Sequence, residues 1–225
     1  MTDVAHNLQS IRDELDGQGV KLVAVSKYHP VEMLRQAYDA GQRIFGESHV
    51  QELDEKQKVL PQDIEWHFIG HLQTNKVKYI APYISLIHAV DTLKLLREID
   101  KQASKVGRLI DCLLQVHVAK EETKFGFLPD ELREMLEGSE WKELKNVRIR
   151  GLMCMATNTD NEQQIHHEFS EVKDLFDEIR ARHFSAAPSF TELSMGMSDD
   201  YHIAIQEGST MIRIGSLIFG QRNYT

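Results

Sequence analysis

The chain has 225 residues, 41% hydrophobic and 27% charged, with 35 acidic against 26 basic side chains and a formal net charge of −9. That length can bury one large core and that composition is ordinary for a globular protein, which excludes a disordered chain. The acidic balance disfavours a nucleic-acid partner, and no apolar run approaches the roughly 18 residues of a membrane span.

The start, MTDVAHNLQS, has no basic and apolar signal segment, so a cytoplasmic chain is expected. Val4, Leu8, Ile11 and Leu15 recur at helical spacing and predict an opening helix. A strand is predicted over 22–27. A helix follows, with Pro30 at its start, Gly41 at its end, and Val31, Leu34, Ala37 and Tyr38 on one face. Strand 43–48 leads into a helix over 49–60, and strand 64–70 into a short helix near 74–80. Strand 85–90 leads into a helix carrying Leu93, Leu96 and Ala103, for which Asp91 or Thr92 can act as the cap. Strand 109–118 precedes a helix that begins at Pro129. Strand 147–155 precedes the clearest amphipathic helix, with Ile165, Phe169, Val172, Phe176 and Ile179 on its stripe. Strand 190–196, a short helix near 199–206 and strand 210–220 complete the chain. Cys112 and Cys154 sit in apolar runs 42 positions apart, as small core residues do; a disulfide or a zinc pair is not expected.

Eight strands, each but the last followed by a helical segment, imply parallel pairing and an α/β fold. We therefore expect a single (β/α)8 TIM barrel with an extra N-terminal helix, one domain over residues 1–225. An open doubly wound sheet is the alternative. It would usually carry a glycine-rich phosphate loop after the first strand, where Ser26 and Lys27 stand instead.

In such a barrel the chemistry collects where the strands end, and phosphates often bind after strands seven and eight. Lys27 ends strand one, Glu47 and Ser48 end strand two, and Gly70 and His71 end strand three, with Asn75 shortly after. SMGMS (194–198) follows strand seven, and Gly215 and Ser216 lie in or just past strand eight. Serine hydroxyls, and glycines that let backbone N–H groups approach closely, suit a phosphate; as isolated features they equally suit turns. Arg213 alternates with Ile212 and Ile214, so if the isoleucines face the helices the guanidinium faces the barrel interior. There it needs a partner; an internal salt bridge, for instance to Glu192, is the simpler reading and a bound ligand the other. A lysine desolvated at the mouth, with Arg213 nearby, loses its proton more readily and can attack an aldehyde. Lysine and phosphate nest together fit pyridoxal 5′-phosphate (PLP) or a sugar phosphate held as an imine, as in an aldolase. His67 and His71 lie four apart in a strand-then-turn segment and suit core or supporting roles. His166 and His167 lie on the solvated part of a helix. KEETKFGF (120–127) lines the mouth or the surface.

The stretches AVSK, FGESHVQE, WHFIGHLQTNK, LLQVHVAKEETKFGF, RGLMCMA, LSMGMSDD and EGSTMIRIGSLIFGQR, spread from residue 24 to residue 222, resemble the pyridoxal-phosphate homeostasis proteins. Those are similar to the barrel domain of alanine racemase standing alone. The resemblance implies PLP as cofactor, held as a Schiff base on Lys27, with Arg213 against the pyridine nitrogen. It implies that Ser194, Met195, Gly215 and Ser216 hold the phosphate, largely by backbone amides, and that Asn75 lies near the cofactor side of the mouth. The family usually reads G-E-N after strand two; Ser48 stands here in place of that asparagine, and a hydroxyl replaces at most part of an amide's contact.

An arginine beside the pyridine nitrogen disfavours its protonation and makes the ring a poorer electron sink. Racemisation also needs acid and base groups on both faces of the substrate carbon, which in the racemases a second domain helps supply. With the chain ending at Thr225 no second domain is expected. The expected function is a PLP carrier and buffer without established turnover, monomeric, with apo-PLP enzymes as recipients. A small amino-acid racemase is the alternative, and a lysine-dependent aldolase a third reading.

Overall fold

The computed structural model describes residues 3–119 and 125–221. Eight strands close a barrel in chain order: β1 (Lys21–Val25), β2 (Ile44–Glu47), β3 (Glu65–Phe68), β4 (Leu86–Val90), β5 (Ile110–Gln115), β6 (Val147–Met153), β7 (Glu192–Ser194) and β8 (Met211–Ile214). Every neighbouring pair is parallel, and β1 closes on β8 with Val23 opposite Arg213. Around it stand α1 (Val4–Leu15), α2 (Val31–Asp39), α3 (Val50–Val59), α4 (Val77–Ile80), α5 (Leu93–Lys105), α6 (Pro129–Glu137), α7 (Glu162–His183), α8 (Tyr201–Gln206) and α9 (Ser216–Phe219). This is the (β/α)8 barrel the strand–helix alternation predicts. Among the described residues no helix is long and apolar enough to cross a membrane.

The period-2 alternation sorts the strands into two faces. Leu22, Ala24, Phe45, Ile212 and Ile214 pack outward with the helices, while Val23, Leu86, Ala89, Leu113, Met153 and Met211 form a smaller apolar cluster inside the barrel. Cys112 and Cys154 are free thiols buried in the outer core, and burial pushes Cys154 up to about 12. Thr92, not Asp91, caps α5: its hydroxyl accepts from Leu95 N at 3.2 Å. His166 is tied down rather than merely solvated, 2.7 Å from a Glu207 carboxylate oxygen.

The last strand is shorter than its apolar run suggests. Gly215 ends it, and the SLIF segment turns into α9, burying Ile218 and Phe219 on one side of a single turn. So short a helix cannot cover the β8 sector, and α1 fills the gap. Asn7 Nδ2 donates to the Ile218 carbonyl at 3.1 Å, the Tyr201 hydroxyl of α8 donates to Glu14 at 2.6 Å, and Arg12 donates to the Ala40 carbonyl beyond α2 at 2.6 Å. The buried stripe Val4, Leu8, Ile11 and Leu15 then completes the outer layer.

Ion pairs line the end of the barrel where the strands begin. Lys21 meets Glu192 at 2.5 Å, Arg150 meets both Glu192 (3.3 Å) and Asp111 (2.9 Å), and Arg148 meets Asp111 at 2.7 Å. Lys21, Asp111, Arg150 and Glu192 border a cavity of about 350 Å³, also lined by His67. The anticipated pairing of Glu192 with Arg213 does not form. Ser194 registers with Met211, so Glu192 lies two residues before that rung and Arg213 two beyond it. Those four residues separate the pair by about 13 Å along the strands.

Candidate functional site

The chain leaves β1 at Ser26, which is fully buried, and turns through Lys27, which is partly buried. Tyr28 follows at φ +65°, the only non-glycine residue with positive φ among those described, a strained conformation that its surroundings must enforce. They do so through a buried lysine. Lys56 Nζ donates to the Ser26 carbonyl, to Glu47 Oε1 and to Glu52 Oε1, each at 2.7 Å, and Glu52 Oε1 also accepts from Tyr28 N at 2.6 Å. The backbone is thus gripped on both sides of Lys27. Glu47 Oε1 accepts from the Ser26 hydroxyl as well, at 2.6 Å, and its Oε2 is buried with no partner. Burial pushes the Glu47 carboxyl up to about 7, against the pull of the Lys56 ammonium.

Lys27 lies on a cleft of about 550 Å³ at the end of the barrel where the strands stop, which it shares with Tyr28, Ser48, Gly70, Gln115 and Met155. That size suits a cofactor. Ser48, in the position of the expected asparagine, lines the cleft, and Gly70 packs so tightly on it that a Cβ would lie 2.7 Å from the Ser48 Cβ. Asn75 is exposed just outside, and its neighbours Gln73 and Lys76 line the cleft instead. His71 is a cleft residue too, 3.0 Å from an Asp91 carboxylate oxygen, whereas His67 points into the barrel; the two histidines do not face one way. Of 120–127, residues 120–124 lie outside the described residues; Phe125 lines the cleft and Phe127 is buried.

Arg213 projects into the barrel and is 4% exposed. NH1 donates to the Ser194 carbonyl (2.9 Å) and hydroxyl (2.6 Å), and NH2 to the Cys154 carbonyl (2.9 Å). A guanidinium carries five N–H groups; three are used here, so two find no acceptor among the described residues. No carboxylate there lies within ion-pair reach, and burial lowers the pKa of the guanidinium. Such a group is suited to an acceptor that the protein does not itself provide.

The predicted phosphate segments lie side by side: Gly215 N donates to Ser198 Oγ at 3.3 Å. Gly196, at φ +94°, brings the loop against α8, where a Cβ would sit 2.7 Å from that of Ala204. Gly215 packs on the end of β1, 3.2 Å from the Val25 carbonyl by the same measure, which places it beside the turn that carries Lys27. Ser216 is exposed on this rim. The Ser194 hydroxyl is engaged inside the barrel by Arg213 and His88, and the Met195 amide donates to the Met211 carbonyl at 3.2 Å.

The family model described as alanine racemase, N-terminal domain, matches residues 1–223. The pyridoxal phosphate homeostasis protein of Aquifex aeolicus is 43% identical over 205 residues, 91% of this chain and 88% of that one. That of Escherichia coli is 35% identical over 241 residues, 100% and 99% of the two chains. The chain belongs to the pyridoxal phosphate homeostasis family. A solved relative, PipY of Synechococcus elongatus with PLP bound, superposes with a TM-score of 0.87 at 38% identity, covering 96% of this chain and all of that one.

The strand-end residues could be singled out from the sequence; two other groups escaped that reading. Lys56 sits on the same stripe as buried Val50 and Leu53, and a lysine on an apolar stripe is the signal that was available. His88, wholly buried within the apolar strand LIHAV, carries the equivalent signal.

Proposed function

We propose that this chain binds PLP at the barrel mouth as a Schiff base on Lys27 and works in the cytoplasm as a PLP carrier and buffer, without catalytic turnover. The single observation that carries the reading is Arg213: a buried guanidinium with two unclaimed N–H groups, in a barrel whose mouth presents a lysine. An aromatic nitrogen with its lone pair free satisfies one of those donors; a protonated one does not. PLP supplies an aldehyde and an electron-withdrawing ring. The amine of Lys27 joins the aldehyde carbon with loss of one water, and hydrolysis returns both. Ser216 offers a hydroxyl donor to the phosphate, and Gly215, its own N–H engaged by Ser198 Oγ, lets the phosphate approach the backbone closely. Ser194 and Met195 shape the strand end beneath, their own groups being engaged already. Asn75 stands near the mouth without lining it.

With Arg213 opposing protonation, the pyridine withdraws electrons weakly, which supports carriage over carbanion chemistry. Recipient apo-PLP enzymes and a monomeric state belong to the same proposal. Borohydride reduction of the PLP-loaded chain followed by peptide mass spectrometry should place the adduct on Lys27, and Lys27→Ala should lose it. An adduct on another lysine, or none, refutes the assignment. The alternative, a small amino-acid racemase, predicts that D- or L-alanine loses optical activity in the presence of the loaded chain and that Lys27→Ala abolishes this; such turnover refutes the carrier reading.

A further inference from the structure

Beneath Arg213 the barrel holds two buried histidines that the binding chemistry leaves unused. His88 Nδ1 is 3.0 Å from Ser194 Oγ, and His88 Nε2 is 3.0 Å from His67 Nδ1. Both rings are buried, and His67 borders the cavity among the ion pairs at the far end. With the bond from Arg213 NH1 to Ser194 Oγ, a continuous polar chain runs from the guanidinium to that cavity.

The direction of its protons follows from what each group can do. Arg213 can only donate, so Ser194 Oγ accepts from it. Burial keeps both imidazoles neutral: His67 is pushed down to about 3, and His88 well below the usual range by burial, His67 and Arg213. The serine proton then has one acceptor among the described residues, His88 Nδ1. A neutral ring that accepts at Nδ1 carries its proton on Nε2, which donates to His67 Nδ1. His67 is then also protonated on Nε2, the nitrogen left for the cavity. The reverse order would leave the serine O–H, fully buried, with no acceptor.

We propose that His88 and His67 are positioning residues of the PLP site. They fix the Ser194 hydroxyl, and through it the plane of Arg213, so that the two unclaimed N–H groups are aimed before the cofactor arrives. The inference rests on the reading of Arg213 as the PLP partner. It explains why two histidines occupy space that a barrel normally fills with branched apolar side chains. A hydrogen bond to a charged group that loses its orientation weakens what that group holds by roughly tenfold or more.

Nitrogen NMR on the full chain without PLP should show both rings neutral and protonated on Nε2; an Nδ1 proton on either overturns the chain's direction, and with it the proposal. On the PLP-loaded chain, His88→Leu should shift the absorption maximum and speed PLP release about tenfold. His88→Asn, which can still accept from Ser194, should return both toward the parent. Adding His88→Leu to Ser194→Ala should change neither beyond Ser194→Ala alone. If His88→Leu lowers the melting temperature and leaves spectrum and release untouched, the histidines are mere filling and the proposal is overturned. Should that variant not fold, His67→Leu gives the same readouts, and no change in them has the same meaning. Failure of the parent chain to take up PLP on Lys27 is a distinct result and ends the PLP reading, and this inference with it.

Discussion

Replacing Lys56 by methionine removes the ammonium that grips the backbone around Lys27 while keeping most of the side-chain volume. Three bonds of 2.7 Å vanish, to Ser26, Glu47 and Glu52. Glu47, fully buried and already carrying one unpartnered oxygen, keeps only the Ser26 hydroxyl. Breaking a buried pair from one side costs about 3–5 kcal/mol. The unfolding entropy of a chain this size, taken at roughly 2.1 cal/mol/K per residue, is about 470 cal/mol/K, so the melting temperature should fall by roughly 6–11 °C. The loss should also depend on pH. Glu47 titrates at about 7 when folded, above its ordinary 4.5. A carboxyl raised in this way binds a proton in the folded state that the unfolded chain lacks, so stability falls as pH rises and stops falling at the folded pKa. Without Lys56 that pKa rises further, and the decline continues to higher pH. Calorimetry should therefore find Lys56→Met worse at about pH 8 than at about pH 6, with Glu47→Gln added in the same chain restoring part of the loss and removing the difference. A melting temperature within about 2 °C of the parent at both pH values, the equivalent of ~1 kcal/mol, would refute the assignment of Lys56 as a structural charge.

Two further outcomes follow from the barrel itself. Gly151, at φ +153°, lies so close to β7 that a Cβ would sit 1.7 Å from the Glu192 carbonyl oxygen; Gly151→Ala should cost upwards of ~4 kcal/mol and appear as aggregation or a collapse of the thermal transition, and a normal melt would show that the two strands can part. The buried histidines oppose Glu47 in acid: His67 and His88 are held below their ordinary 6.5, so the unfolded chain binds protons there that the folded one refuses, and stability is lost as pH falls below about 6.5. Two histidines against one carboxyl leave a net slope of roughly 1 kcal/mol per pH unit between about pH 5 and 6.5, measurable by urea titration; a flat profile there would mean that the rings are solvated.

The barrel was legible because each strand repeats one rule, apolar outward and mixed inward, and because a helix separates each pair. The inward turn of Arg213 could be read from that rule alone: Ile212 and Ile214 join the outer core and Arg213 does not. What the rule does not carry is stagger. Whether Glu192 reaches Arg213 depends on the β7–β8 register, which a sequence pattern leaves open, and Lys21 and Arg150 hold that carboxylate at the opposite end. The Lys56 network was hidden for a related reason. It joins β1, β2 and α3, and only closure of the barrel brings Ser26 and Glu47 under a lysine 30 and 9 positions further along the chain. Strand eight misled because SLIF is as apolar in a helical turn as in an extended run.

The interior of this barrel is arranged in unlike tiers. At the end where the strands begin the charges are paired, three cations on two carboxylates: Lys21, Arg148 and Arg150 meet Asp111 and Glu192. In the middle lie the neutral His67 and His88. Above them Arg213 stands with two carbonyls, a hydroxyl and no carboxylate. A carboxylate placed beside it would have made the folded chain more stable, since a buried guanidinium without a counter-charge is expensive by several kcal/mol. It would also have occupied the N–H groups that a ligand could use. On the reading proposed above, the deficit at the upper tier supplies affinity: an acceptor that enters the mouth gains the bonds that folding left unmade. Stability lent by such a ligand grows with its concentration as RT ln(1 + [L]/Kd), so the chain should be most stable where that ligand is most plentiful. A fully satisfied interior would not respond to its ligand in that way.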